Sequence, residues 1–257
     1  GSYIVRLLPL FVAFSYLRTK NIKNSIFTAS LIILTSILVF MSGERAAFFL
    51  LILNSFIVIL LTKNFLKLRI FVSLFICVGI GLVLIFMPKI KERMIDQTIS
   101  SFGLGGENIY LFSEGHHSLF VSSFEMFKEK PIIGHGPKMF RKLCERDKYF
   151  DTHKKLARHC STHPHNTYVQ LFTETGIIGG IYILFIFIYL NFIFLRHLLS
   201  KFYNKISSLN DFKICMLSSI YITLWPFITT GSFFNNWLSV FYFLPFCFLI
   251  NKRYEKN

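Results

Sequence analysis

The residues best suited to chemistry lie in one string, His163-Pro164-His165-Asn166-Thr167-Tyr168-Val169-Gln170-Leu171-Phe172-Thr173-Glu174-Thr175-Gly176-Ile177-Ile178-Gly179-Gly180, where a polar stretch runs straight into an apolar one. An imidazole titrates near neutral pH, so His165 can accept a proton from a hydroxyl group, although a lone histidine at a helix start is more commonly a cap or a surface residue. Helical spacing puts His165, Tyr168 and Phe172 on one face and Gln170 with Glu174 on a neighbouring one. Glu174 then sits about two turns below the helix start, a depth at which a carboxylate must face the interior of a bundle. Seven of the eight histidines, all but His197, fall between residues 88 and 167, His116-His117 among them. A second candidate is Arg45 in Ser42-Gly43-Glu44-Arg45-Ala46-Ala47, a short polar turn between two apolar runs. On its own features this arginine snorkels at an interface, although its planar fork is also shaped to grip an oxyanion in bidentate geometry.

The elements that must position these residues are membrane helices. The chain of 257 residues is 53% hydrophobic and contains 32 Phe, more apolar surface than a water-exposed domain of this size can hide. Because a bilayer core takes roughly 20 apolar residues per helix, spans are expected at 3–17 (partial), 25–42, 46–62, 70–87, 168–195, 213–231 and 235–250. The chain opens inside an apolar stretch, Tyr3 to Leu17, with no secretory signal peptide, and is expected to be the C-terminal part of a longer protein.

The formal charge of +15 is concentrated in clusters between spans: Arg18, Lys20 and Lys23; Lys63, Lys67 and Arg69; Arg196, Lys201, Lys205 and Lys213; Lys252, Arg253 and Lys256. These clusters read as topology and not as a nucleic-acid surface, and positive-inside reasoning assigns them to the cytoplasm. Ser42–Arg45, residues 88–167 and Ser232–Asn236 then face the far side. The expected fold is all-α, a polytopic transmembrane helical bundle with one large helical periplasmic loop. Its parts are 1–87 (transmembrane helices), 88–167 (loop domain) and 168–257 (C-terminal transmembrane helices).

Residues 88–167 have the content of a folded segment. Leu119, Phe120, Phe124 and Phe127 follow helical spacing, Pro131-Ile132-Ile133-Gly134-His135-Gly136-Pro137 breaks the helix, and a second helical stretch starts at Lys138. Cys77, Cys215 and Cys247 lie in apolar spans as small core residues, while Cys144 and Cys160 sit together in the loop, on the oxidising side. A Cys144–Cys160 disulfide is expected. The alternatives are two free thiols, or metal binding by Cys144, His159, Cys160 and His163, a set without a recognised zinc spacing.

The 163–180 string resembles the C-terminal signature of the O-antigen ligase and O-antigen polymerase superfamily: His, then Asn, Ser or Gln, nine residues, Gly, two residues, Gly. His165, Asn166, Gly176 and Gly179 fill the four slots. Ser42 to Ala47 is similar to the family's Ser-x-Arg-(Gly/Ala) turn, and Pro131 to Phe140 to the segment preceding its periplasmic helices; the likeness covers roughly residues 25–195. It implies a bacterial inner-membrane glycosyltransferase that moves a glycan from undecaprenyl diphosphate to an acceptor hydroxyl at the periplasmic face, without nucleotide, metal or other cofactor. The acceptor would be a lipid A core for a ligase or another lipid-linked glycan for a polymerase; transfer to protein is a third possibility. The partners implied are that donor, that acceptor and membrane lipid, with no nucleic acid.

With the resemblance in hand, Arg45 is the expected diphosphate clamp and His165 the general base of an inverting transfer. Asn166 and Glu174 are expected to bind substrate. Relatives carry a second Arg at the start of the loop helix, about fifteen residues before the Pro of Pro131 to Phe140. Here that position is held by His116-His117, so His116, His117 or Arg141 is expected to supply the charge, and Lys138 reads as a solvated face. The rival classes are a lipid-linked glycan flippase or transporter, which tends to show repeated halves and broken helices at mid-membrane, and a non-catalytic membrane subunit.

Overall fold

A backbone in apolar surroundings must satisfy its own N–H and C=O groups, and the helix does so locally. The computed structural model follows this rule, describing residues 1–18, 22–101, 114–149, 160–203 and 209–250, with no strand among them. The helices are α1 (Ser2–Arg18), α2 (Ile22–Met41), α3 (Arg45–Leu61), α4 (Leu66–Phe86), α5 (Pro88–Lys91), α6 (Gln97–Ser101), α7 (Glu114–Glu129), α8 (Phe140–Leu143), α9 (Thr167–Phe202), α10 (Asp211–Thr223) and α11 (Asn236–Ile250). A π-helical turn, Glu92–Asp96, separates α5 from α6. The basic residues Lys20, Lys205, Lys252, Arg253 and Lys256 and the histidines His153 and His159 lie outside the described residues.

Among the described residues, two helices, α4 and α9, are long and apolar enough to cross a membrane, and α1, α2, α3 and α11 are shorter apolar helices. In α4 only Val72 and Val83 are buried. A 21-residue apolar helix with so little of itself covered by protein requires lipid around it.

Contacts divide the chain into two units, one of residues 1–96, 190–223 and 241–257, the other of 97–189 and 224–240. The first packs α1 against α3 and α10 around Leu10, Ala13, Val58, Phe212, Cys215 and Met216, and α2 against α4 around Phe40 and Val83. Its polar groups collect where α3 ends. The Arg69 guanidinium donates to the carbonyls of Val58 (2.6 Å) and Ile59 (3.1 Å), His197 Nε2 to that of Leu61 (3.1 Å), and Lys201 Nζ to that of Leu60 (2.7 Å). Basic side chains thus donate to the carbonyls of a helix C-terminus, most of which lack an N–H partner within the helix. The Asp211 carboxylate accepts the backbone N–H groups of Lys63 and Asn64 at 2.9 Å each.

The second unit holds α7, the 130–149 stretch, residues 160–166, the first part of α9 and the 224–240 segment. Its loop core is Leu119, Met126, Phe140, Leu143, Cys144 and Tyr149, and the Phe127 ring packs edge-on to Phe172 of α9. The expected disulfide is present, joining Cys144 to Cys160 with 5.5 Å between alpha carbons. The helix expected from Lys138 starts instead at Phe140, because Lys138 adopts a left-handed backbone (φ +62°), and α8 is a single turn.

Three expectations are corrected. Cys77 and Cys247, expected as core residues, are exposed on α4 and α11, and of the three cysteines in apolar helices Cys215 alone is buried. The span expected at 213–231 ends as a helix at Thr223, and Leu224 to Asn235 run without a helix, since Pro226 cannot continue the ladder and Gly231 favours a turn. His165 does not share a helix face with Tyr168 and Phe172: α9 begins at Thr167, and His165 precedes it with φ +59°.

Candidate active site

Asn166 is the N-cap of α9. Its side-chain oxygen accepts the N–H groups of Tyr168 (3.0 Å) and Val169 (3.1 Å), which a helix start leaves without internal partners. Its amide donates to the carbonyls of Pro226 (2.7 Å) and Ile228 (3.1 Å). The Tyr168 hydroxyl donates to the Leu224 carbonyl (2.6 Å), and the Thr230 N–H to the His165 carbonyl (2.8 Å). The non-helical 224–235 segment therefore spends its polar backbone on the start of α9, and Asn166, expected to touch substrate, is buried in that junction.

Above this floor stand three imidazoles. The His165 ring lies 4.2 Å from that of His163 and 5.4 Å, edge-on, from that of His116 on α7. His163 Nε2–H donates to the Thr230 carbonyl (3.1 Å), and its Nδ1 pairs with the Thr162 hydroxyl (2.9 Å), which fixes its tautomer. His165 Nε2 pairs with the Ser161 hydroxyl at 3.0 Å. Burial lowers the pKa of all three rings; His165 is lowered further by His163, His116 by His165, and His163 by Arg141, against the raising pull of the Thr230 carbonyl. A half-buried His165 kept neutral by this environment is able to take a proton. Of the expected cationic groups, His116 meets His165, the exposed Arg141 acts electrostatically on His163, and His117 lies one residue further along α7.

Glu174 has no exposed surface. One carboxylate oxygen accepts the Phe140 N–H (2.9 Å) and the other the Gln170 amide (2.9 Å), so the same-face pairing with Gln170 expected from spacing is present. Gln170 also donates to Ser232 Oγ (2.9 Å) and accepts the Phe233 N–H (2.8 Å). Glu174 thereby joins α8 to α9 and, through Gln170, to the Ser232 hydroxyl and the Phe233 backbone.

The signature glycine Gly176 has φ +66° and ψ −162°, which breaks α9. A β-carbon there would collide with the backbone of Ile132 and Ile133, and one at Gly134 with the backbone of Glu174 and Thr175. The two glycines let strands of backbone touch: Ile177 N–H donates to the Pro131 carbonyl (2.7 Å), Gly136 N–H to that of Glu174 (2.8 Å) and His135 N–H to that of Thr173 (3.2 Å). Residues 163–180 match a profile describing O-antigen ligases as part of a longer stretch, residues 30–184. This chain belongs to the O-antigen ligase family.

A relative of this O-antigen ligase family member is an uncharacterised protein of Haemophilus influenzae, 26% identical over 245 residues. The alignment covers 90% of this chain and 58% of the relative, so the chain spans under two thirds of that protein's length. No solved structure matches the chain. The family is one of bacterial inner-membrane proteins, in keeping with the apolar helices.

Arg45, the other signature residue, is the first residue of α3 in the unit of residues 1–96, and is exposed. The turn before it is tight: Gly43 has φ +67°, and the Arg93 side chain from the π-helical turn lies over it, with Cδ 2.9 Å from where a β-carbon would stand. Arg93 and Ser161 were missed in the sequence reading. Arg93 had a signal, since Lys89, Lys91 and Arg93 make a basic run on the side where positive-inside reasoning expects few. Ser161 had only its place beside Cys160.

Proposed function

We propose that this O-antigen ligase family chain transfers a glycan from undecaprenyl diphosphate to an acceptor hydroxyl at the outer face of the bacterial inner membrane, with residues 88–167 facing the periplasm. The acceptor oxygen bonds to the anomeric carbon as the bond from that carbon to the diphosphate oxygen breaks. The lipid diphosphate leaves with the electron pair, and the acceptor proton passes to His165. Arg45 binds the diphosphate in fork geometry, and Arg93, whose side chain reaches over Gly43 from the π-helical turn, adds a second guanidinium. Arg141 supplies positive charge at the polar face, and His116, its pKa lowered by burial, packs edge-on against His165 as a neutral ring. Asn166 and Glu174 act by holding the start of α9. The step needs neither nucleotide nor metal.

The observation that carries this reading is His165, neutral, half-buried and held by Ser161 in the signature of a family that moves lipid-linked glycans. The test is the polysaccharide profile of a deletion strain. A ligase leaves lipid A core without polymer, and a polymerase leaves core capped by a single repeat. An unchanged profile together with no transfer by purified protein overturns the proposal.

A further inference from the structure

The apolar stretch of α9 runs from Ile177 to Leu195, with no charged side chain before Arg196. At ~1.5 Å rise per residue its 19 residues span about 28 Å, close to a bilayer core of ~30 Å. Of the preceding residues, Thr167 to Thr175, none is exposed. The boundary between the two environments is the Gly176 kink, and at that kink Ile177 N–H is bonded to the Pro131 carbonyl. The turn that follows α7 is thus anchored where α9 becomes apolar.

The side chains at the tip of this turn point away from protein. Ile132 is 65% exposed and Ile133 71%, and Phe124, two turns back on α7, is 57% exposed. On α9, Ile178, Ile181 and Tyr182 are exposed as well, continuing the apolar surface along the helix. Basic groups flank the tip: Lys128 and Lys130 are exposed, with Lys128 Nζ 4.6 Å above the Phe124 ring. Apolar wedges beside exposed lysines, one of them over an aromatic ring, match the boundary between acyl chains and phosphate headgroups.

We infer that Ile132 and Ile133, with Phe124 and Lys128, form a membrane-interface anchor that seats the polar segment on the leaflet α9 enters at Gly176. The partner is phospholipid: Ile132 and Ile133 lie among acyl chains and Lys128 and Lys130 at the phosphates. The inference rests on α9 crossing the bilayer. Its role is to hold α7 and the histidine cluster at a fixed height above the membrane, where a lipid-linked substrate presents its diphosphate.

The test uses the full chain in nanodiscs of phospholipid brominated on the acyl chains near the headgroup. Ile133→Trp, Ile132→Trp and, on α9, Ile181→Trp are compared after subtracting the parent's emission. The expected result is loss of most of the added emission in brominated lipid at all three positions, with little quenching by acrylamide in water; Glu145→Trp should show the reverse. Lipid quenching at Ile181→Trp with only aqueous quenching at both tip positions overturns the anchor and leaves the reading of α9 intact. Aqueous quenching at Ile181→Trp as well overturns the membrane reading itself. The tip side chains are exposed, so these substitutions leave the core undisturbed, and the two neighbouring positions report independently.

Discussion

The Ser161 hydroxyl lies 3.0 Å from Nε2 of His165, on a residue whose chain neighbour Cys160 is tied to Cys144 at the end of α8. If Nε2–H donates to Ser161, the lone pair on Nδ1 is left to accept the substrate proton. A side chain that fixes a tautomer acts on the chemical step and not on donor binding. Ser161→Ala is expected to lower kcat on the order of tenfold, about the worth of one well-made hydrogen bond, with KM for the lipid-linked donor nearly unchanged. Ser161→Thr should restore most of the rate. A matched rise in KM would assign Ser161 to substrate binding instead.

His165→Ala should reduce turnover on the order of 10² to 10⁴, the range for a positioned general base, and spare donor binding. Arg45→Ala should weaken both, because a diphosphate clamp acts on the ground state and the transition state alike. Arg45→Lys keeps the charge and loses the fork, so activity close to the parent's would show that charge alone suffices. Donor binding measured beside steady-state rates separates these outcomes.

Reduction of Cys144–Cys160, which closes a loop of 16 residues' separation, should loosen the second unit's polar segment by roughly 3 kcal/mol on the chain-entropy estimate, leaving the apolar helices intact. The expected outcome for Cys144→Ser with Cys160→Ser is faster proteolysis between residues 144 and 160, unchanged helix content by circular dichroism, and a fall in kcat through the freed Ser161. Unaltered kcat would show that the bridge does not position His165.

Burial holds His116, His163 and His165 below the ordinary histidine value of 6.5. Between the folded-state values and 6.5 the unfolded chain binds more protons, so stability from these groups is complete above 6.5 and declines as pH falls below it. Thermal melts in detergent should show Tm dropping on acidification through this window. Because neutral His165 is the competent form, the acid limb of kcat/KM should have its midpoint below 6.5. A midpoint above 6.5 would mean that a nearby anion outweighs burial.

Gly176→Ala should destabilise the junction by about 1 to 3 kcal/mol, since the residue must keep a backbone region open to glycine while its new carbon meets Ile132 and Ile133. Gly81→Ala on α4, with open space at the β-carbon, is the control and should be near neutral or stabilising. Comparable losses for both would point to a general intolerance of the helices and not to the contact with Ile132.

By itself the sequence determined the helical class, the apolar segments, the folded character of α7, the Cys144–Cys160 pair and the candidate residues His165 and Arg45. These follow from local quantities: the length and hydropathy of runs, the period of 3.6, the breakers at Pro131 to Pro137, and a spaced signature. The span expected at 213–231 runs through Pro226 and Gly231, and the helix ends before them, at Thr223. Only the tertiary structure decided how polar groups are satisfied. Asn166 and Glu174 carry the residue types of a substrate site, yet beyond the Gln170 pairing expected from spacing their partners are the Pro226 and Ile228 carbonyls and the Phe140 N–H, which lie between 34 and 62 positions away in sequence. Hydrogen bonds of that reach leave no periodic trace, and their directions depend on which backbones meet. The same holds for Ser161 against His165, where His165 leaves the helix through a left-handed residue that no spacing rule anticipates, and for Arg93 over Gly43, a contact made by two chain segments whose meeting depends on the packing of α2 against α4.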